Sequence, residues 1–306
     1  AGVVEAAHAE LLSGFAGAEI VGFHGQTLAH DPARARTHQA GDGARLARNL
    51  GRTVAWDFRS ADMEAGGEGA PLAPAFHHAC ARWSGAEEPV AFLNLGGVGN
   101  LTWLDPSLPV EAPGALLAFD TGPANAPIDD LCTAAGGEAF DRDGTLARRG
   151  TADMALVDAF LSHPYFARPA PKSLDRNDFA THGVAIDALP LPDAAATWVA
   201  VIAASVARGL ALVPSRPARM LVTGGGRRNL AIMAALAEGL PVDVAPVEAV
   251  GLDGDMLEAQ AFAYLAVRVL RGLPTSFPGT TGVARPACGG RIAAGDGGGG
   301  QDRTGR

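Results

Sequence analysis

Lysine is nearly absent from this chain. Of 306 residues a single one, Lys172, is lysine; the rest of the 24 basic residues are arginine. Because Lys172 follows a proline, no Gly-Lys-Ser/Thr phosphate loop can exist, and the strand lysine of the protein-kinase pattern is missing too. Basic charge is short overall: 24 basic against 33 acidic residues leave a net charge of −9, the wrong sign for neutralising nucleic-acid phosphates. The three cysteines, Cys80, Cys132 and Cys288, lie far apart and form no CxxC, which argues against a disulfide scaffold or a structural zinc site. No basic segment followed by an apolar core opens the chain as a secretory leader would. Nor does any stretch reach the roughly 18 uninterrupted apolar residues of a membrane helix. The longest candidate, Ala194 to Val213, carries Arg208 and reads as a buried or amphipathic helix. The default expectation is a cytoplasmic protein with neither membrane nor nucleic-acid partners.

What is present suits a packed α/β protein. Apolar residues make up 48% and charged residues 19%, enough to bury a core, and the length suggests about two domains. Apolar strands read at Glu19 to Phe23, Thr53 to Phe58, Pro89 to Leu95, Asn100 to Leu104, Leu116 to Phe119, Arg219 to Thr223 and Val242 to Ala245. Helical periodicity reads over Gly43 to Leu50, Pro71 to Trp83, Thr151 to Ser162, a long helix from Asp193 with that aspartate well placed as its N-cap, Asn229 to Glu238 and Asp255 to Arg271. Strands alternating with helices, plus a hairpin about Gly96-Gly97-Val98-Gly99, predict mixed sheets. Gly289 to Arg306 is glycine-rich and almost without apolar side chains, and reads as a disordered tail.

Four strand ends run into loops that could carry chemistry. Thr223-Gly224-Gly225-Gly226-Arg227-Arg228-Asn229 joins a strand to a helix, so its backbone could approach an anion, or it is simply a tight turn. Asp120-Thr121-Gly122-Pro123-Ala124-Asn125 places a carboxylate at the mouth of a buried strand. It could act as a general base or cap the next helix, a task for which Asn125 is better placed. Asp57-Phe58-Arg59-Ser60-Ala61-Asp62, followed by Gly66-Gly67-Glu68-Gly69, offers an arginine grip on an anion or a surface ion pair. Asn94-Leu95-Gly96-Gly97-Val98-Gly99-Asn100 could cup a phosphate or be a plain hairpin. Asp141-Arg142-Asp143-Gly144 lacks the glycine position of a calcium loop and reads as a turn. His77-His78 has no HExxH spacing, and no metal-ligating residues are assigned. Lys172, beside the proline segment Pro169-Ala170-Pro171, has no assigned role.

Taken together, His24-Gly25-Gln26-Thr27, Asp57-Phe58-Arg59, Gly66 to Leu72, Asn94-Leu95-Gly96-Gly97, Phe119-Asp120-Thr121-Gly122-Pro123, Pro171-Lys172-Ser173, Gly224 to Asn229 and Glu258-Ala259-Gln260-Ala261-Phe262-Ala263 resemble the anhydro-N-acetylmuramic acid kinase family, in its order, over residues 24 to 263. The resemblance implies the two-domain α/β fold of sugar kinases, actin and heat-shock ATPases, with an interdomain cleft. It implies ATP and Mg²⁺ as cofactors and a sugar substrate whose 1,6-anhydro ring is opened by water while the 6-oxygen is phosphorylated, in cell-wall recycling. By the matching motifs Asp120 is the general base and Glu258 holds sugar hydroxyls. His24, Gln26, Arg59 and Asp62 line the sugar pocket. Gly224, Gly225, Gly226 and Asn229 face the nucleotide, with Gly96 and Gly97 near its phosphates. A homodimer is the family-level expectation.

Two departures from the family pattern stand out. Ala124 occupies a position that is usually glycine, which would strain the loop by roughly 1 kcal/mol if φ there had to be positive. The family's leading strand and M-S-G-T-S-L-D-G-type loop have no counterpart, and Ala1 opens what reads as a helix already under way. The expected division is an incomplete domain over 1–86, completed by part of 264–288, a second over 87–263, and the tail 289–306. The alternatives are another sugar kinase of the same superfamily and a non-catalytic, N-truncated remnant that binds sugar or a partner.

Overall fold

The computed structural model describes residues 2–174, 178–179 and 181–295. The chain divides into two compact units at 76/77 and 257/258: residues 1–76 with 258–306, and residues 77–257. The sequence reading sets these divisions at 86/87 and 263/264.

In the first unit, α1 (Gly2–Ser13) precedes β1 (Ile20–Phe23), the hairpin of β2 (Gln26–Asp31) and β3 (Arg36–Ala40), α2 (Gly43–Leu50), β4 (Thr53–Trp56), and α3 (Ser60–Glu64). Helix α4 (Pro74–Trp83), of which residues 77–83 belong to the second unit, starts with its proline at the first turn, three residues after the predicted start. β1 pairs in parallel with β4. Val21, Phe23, Leu46, Ala47 and Val54 form one small core, and Ala55, Phe58, Leu72, Leu265 and Ala266 another.

The second unit is built on a five-stranded mixed sheet. Its strands are β5 (Val90–Leu95), β6 (Val98–Leu104), β7 (Leu116–Pro123), β8 (Arg219–Thr223) and β9 (Asp243–Pro246). Their order is β7-β6-β5-β8-β9. The first three run antiparallel in sequence, while β8 and β9 extend β5 in parallel. Strand β5 is central and almost wholly apolar, as a strand covered on both faces should be. The sheet is joined by α5 (Asn125–Ala134), α6 (Met154–Leu161), α7 (Val184–Asp187), α8 (Leu191–Leu210) and α9 (Leu230–Gly239). Length and composition alone would let α8 cross a membrane. Here its buried side packs on the sheet: a Cβ on Gly209 would stand 3.0 Å from Thr121 and 3.4 Å from Phe119, tighter than most side-chain contacts, so glycine eases the close approach of helix and strand.

The chain returns to the first unit through α10 (Leu257–Leu270) and α11 (Pro278–Thr281), then β10 (Arg291–Ala293). β10 pairs antiparallel with β4, so the segment predicted as a tail from Gly289 begins as sheet; residues 296–306 lie outside the described residues.

Three local expectations are corrected. Asn125 does not cap α5; its Nδ2 donates to the Leu95 carbonyl at 2.9 Å. Asp193 lies inside α8 rather than before it, and its Oδ1 accepts from the Thr151 N–H at 2.8 Å. Ala124 sits at φ −131°, outside the left-handed region, so the expected penalty for alanine does not arise.

Leu93, fully buried at the centre of β5, reports on this core. Leu93→Ala should lower the free energy of unfolding by about 2–5 kcal/mol in urea titrations; a loss below about 1 kcal/mol would contradict the packing described.

Candidate active site

In the second unit three predicted loops meet at the carboxyl ends of β5 and β8. These neighbouring parallel strands bring Asn94 opposite Thr223. The carbonyls of Gly96 and Gly97 accept from the N–H groups of Asn125 (2.8 Å) and Ala124 (3.1 Å), and thus occupy amides at the start of α5. Gly224 has φ +75°, and a Cβ there would lie 2.4 Å from Asn94 Oδ1. A Cβ on Gly226 would meet Leu95 and Asn125, whereas Gly225 has only the Asn125 amide at 3.2 Å. Two of the three glycines therefore serve close packing, and Gly225 is the least enclosed.

Neighbouring polar residues hold this loop. Arg227 donates to the Gly224 carbonyl (2.9 Å), Glu248 (2.8 Å) and Asp255 (2.8 Å). Its guanidinium therefore ties the glycine loop to residues 248–255. Asn229, expected to face a nucleotide, directs Oδ1 to the N–H groups of Ala231 and Ile232 and caps α9.

Asp120 lies on β7, one of the two edge strands of this sheet. Its cross-strand neighbour Asn100 donates to Oδ1 at 2.9 Å, and the Leu174 N–H donates to Oδ2 at 2.8 Å. Its own N–H donates to the Lys172 carbonyl at 2.9 Å, and the Tyr165 hydroxyl donates to its carbonyl at 2.5 Å. The carboxylate is half-buried and gripped from two sides, which fixes its direction. Asn100, Tyr165 and the backbone of Leu174 are absent from the sequence-predicted set. Asn100 alone had a legible cue, since it sits at the hairpin foot where a strand partner of β7 belongs.

The first unit brings together His24, Arg59 and Glu258. Arg59 donates Nε–H to His24 Nε2 at 2.9 Å and Nη1–H to the Gly69 carbonyl at 2.7 Å. Burial, then the adjacent Arg59 charge, pull the His24 pKa from 6.5 to about 4, so the ring is a neutral acceptor. Burial also lowers the Arg59 pKa, while the charges of Glu258 and Asp62 oppose the shift. Glu258 is exposed at the start of α10. Gln26 is exposed on the hairpin, its amide facing the Thr27 carbonyl. Asp62 is fully buried, and its oxygens accept from the Gly69 N–H and the Thr281 hydroxyl, each at 2.7 Å. That carboxylate organises the Gly66 to Gly69 turn.

Other polar signals have structural uses. His77 stacks on Phe92 and meets the Thr102 hydroxyl, and burial holds its pKa near 3. His78 turns to the Leu108 carbonyl. The Asp141 carboxylate accepts from the N–H groups of Leu146 and Ala147, which closes a turn. Among the described residues no group of three or more His, Cys, Asp or Glu is placed to hold a metal ion.

An α/β chain with a carboxylate held at a strand end and a closely packed glycine loop has the makings of an enzyme. A family model described as anhydro-N-acetylmuramic acid kinase matches residues 3–295. The protein of that name from Cereibacter sphaeroides is 63% identical over 294 residues, covering 95% of this chain and 79% of the relative. That from Roseobacter denitrificans is 59% identical over 293 residues, covering 95% and 78%. A ROK family glucokinase from Streptomyces griseus, solved with glucose and AMPPNP, is 12% identical with a TM-score of 0.43 and 88% of each chain covered, a likeness too slight to add to these. The chain belongs to the anhydro-N-acetylmuramic acid kinase family, and so to the kinases among the transferases.

The His24 environment has a measurable consequence. Between pH about 4 and 6.5 the unfolded chain binds a proton at this ring that the folded chain does not, so the His24 contribution makes stability rise with pH across that window. The ring resonances should titrate with a midpoint near 4 by NMR, and His24→Gln should flatten the slope of stability against pH there; a midpoint near 6.5 would contradict the burial.

Proposed function

We propose that this chain is the kinase of anhydro-N-acetylmuramic acid, acting in the cytoplasm in cell-wall recycling. The observation that carries the reading is the Asp120 carboxylate, oriented by Asn100 and Leu174 in a chain that belongs to this family. In the proposed reaction Asp120 takes a proton from water as the water oxygen bonds to the anomeric carbon. The bond from that carbon to O6 breaks, and its electron pair stays on O6. O6 then attacks the γ-phosphorus of ATP, and ADP leaves. The products are N-acetylmuramic acid 6-phosphate, ADP and a proton, which Asp120 gives up to solvent so that the base is restored. Orientation matters because a base contributes only when it lies within hydrogen-bond reach of the proton it removes.

Sugar recognition is assigned to the first unit. The Glu258 carboxylate suits hydroxyl donors, and Arg59, already fixed by His24 and the Gly69 carbonyl, sets the charge around it. Nucleotide recognition is assigned to the loop at Gly224 to Gly226, with Gly225 its most open member, and to Gly96 and Gly97 beside it. Asn229 supports that loop by capping α9, and Asp62 supports the sugar side by holding Gly69. The described residues do not form a dedicated metal cage. Mg²⁺ is accordingly assigned to the nucleotide, whose phosphate charge it offsets.

With ATP, Mg²⁺ and the anhydro sugar, mass spectrometry should show a product heavier by one water and one phosphoryl group. Phosphorylation without water gain would overturn the mechanism. Asp120→Asn should lower kcat by about 10²–10⁴-fold at unchanged ATP affinity; full activity would remove Asp120 from the role of base.

A further inference from the structure

Lys172 is the chain's only lysine, is 4% exposed, and has no part in the reaction above. Its Nζ donates to the Tyr165 carbonyl at 3.1 Å and lies 4.5 Å from the centre of the Tyr165 ring. A buried ammonium is costly to desolvate, and a carbonyl with an aromatic face is what offsets the cost. Burial first, then Arg168, pull its pKa from 10.5 to about 8. The contact joins two separate pieces of chain, the short turn Pro164–Ala167 and the segment 172–174. Each piece holds Asp120. From the turn, the Tyr165 hydroxyl donates to the Asp120 carbonyl. From the segment, the Lys172 carbonyl accepts the Asp120 N–H and the Leu174 N–H reaches Asp120 Oδ2.

We propose that Lys172 is a positioning residue for Asp120: its ammonium locks the Tyr165 turn to the 172–174 segment, and the two together hold the backbone and carboxylate of Asp120 in one orientation. The proposal rests on the reading of Asp120 as general base. It adds a determinant of that base that touches neither the reacting carbon nor the phosphate. Arginine at this position keeps the charge, the donors and the affinity for an aromatic face, and methionine keeps the aliphatic stem alone.

The test compares the parent with Lys172→Met, Lys172→Arg and Tyr165→Phe, the last being nearly isosteric. Lys172→Met should lower kcat at least 100-fold while the KM for ATP stays within twofold, and Lys172→Arg should recover at least tenfold of that loss. Tyr165→Phe should lower kcat several-fold, and combining it with Lys172→Met should add nothing further, because both act through one clamp. Amide hydrogen exchange gives a readout independent of turnover: in Lys172→Met the N–H groups of Asp120 and Leu174 should exchange at least tenfold faster, with those of β5 unchanged. Parent-like kcat, additive losses in the double variant, or unaltered exchange at Asp120 and Leu174 would overturn the proposal. If the parent itself fails to turn over the anhydro sugar, the reaction reading falls, and the exchange measurement still decides whether Lys172 holds Asp120.

Discussion

An edge strand carries unpaired backbone donors and acceptors that must be satisfied. In the five-stranded sheet β7 is one such edge, and at Asp120 the Lys172 carbonyl supplies the missing partner. The same short segment then sends the Leu174 N–H to the Asp120 carboxylate, while Asn100 on the next strand takes the other oxygen. Covering a sheet edge and aiming a carboxylate are thus one structural act. The proline-rich stretch about Pro169 and Pro171 is irregular because it adds no full strand to the sheet. It contributes the few hydrogen bonds that matter at one residue.

The same economy appears elsewhere. Asp62, Arg227 and Asn229 all belong to motifs that invite a ligand-binding reading, and all three are engaged by the protein itself. Asp62 holds the Gly69 turn against Thr281. Arg227 holds Gly224 against Glu248 and Asp255. Asn229 starts α9. Such groups fix the backbone of the glycine loops, and a close-packed loop tolerates little change in them. On the proposed reading, direct recognition would fall mainly to Glu258 and the Arg59–His24 pair in one unit and to Gly225 and Asp120 in the other.

Much of the second unit was legible in the residues. Strand β8 falls at Arg219–Thr223 as predicted, and the β5–β6 hairpin falls where two apolar runs flank a glycine cluster. Those elements are continuous apolar segments punctuated by glycine, the strongest local signal available. The β2–β3 hairpin was not legible. Its sequences, QTLAHD and RTHQA, are mostly polar and show no alternation of apolar with polar residues. β10 is three residues within a glycine-rich stretch, and only its pairing with β4 makes it a strand. The capping residues expected at Asn125 and Asp193 were misplaced because tertiary partners, the Leu95 carbonyl and the Thr151 N–H, claim those side chains. Asp120 could be singled out from its strand and loop, but its partners could not. Tyr165 lies 45 positions away and Leu174 54, and no local pattern links them. Thr281, the partner of Asp62, is 219 positions away.

If Asp120 directs water to the anomeric carbon before the 6-oxygen takes the phosphoryl group, the oxygen of that water must end on the anomeric carbon. Turnover in water enriched in heavy oxygen, quenched before the anomeric oxygen exchanges, tests it most directly. The expected product carries one heavy oxygen on the anomeric carbon and none on the phosphate or at C6. Label at C6 or in the transferred phosphate would contradict it.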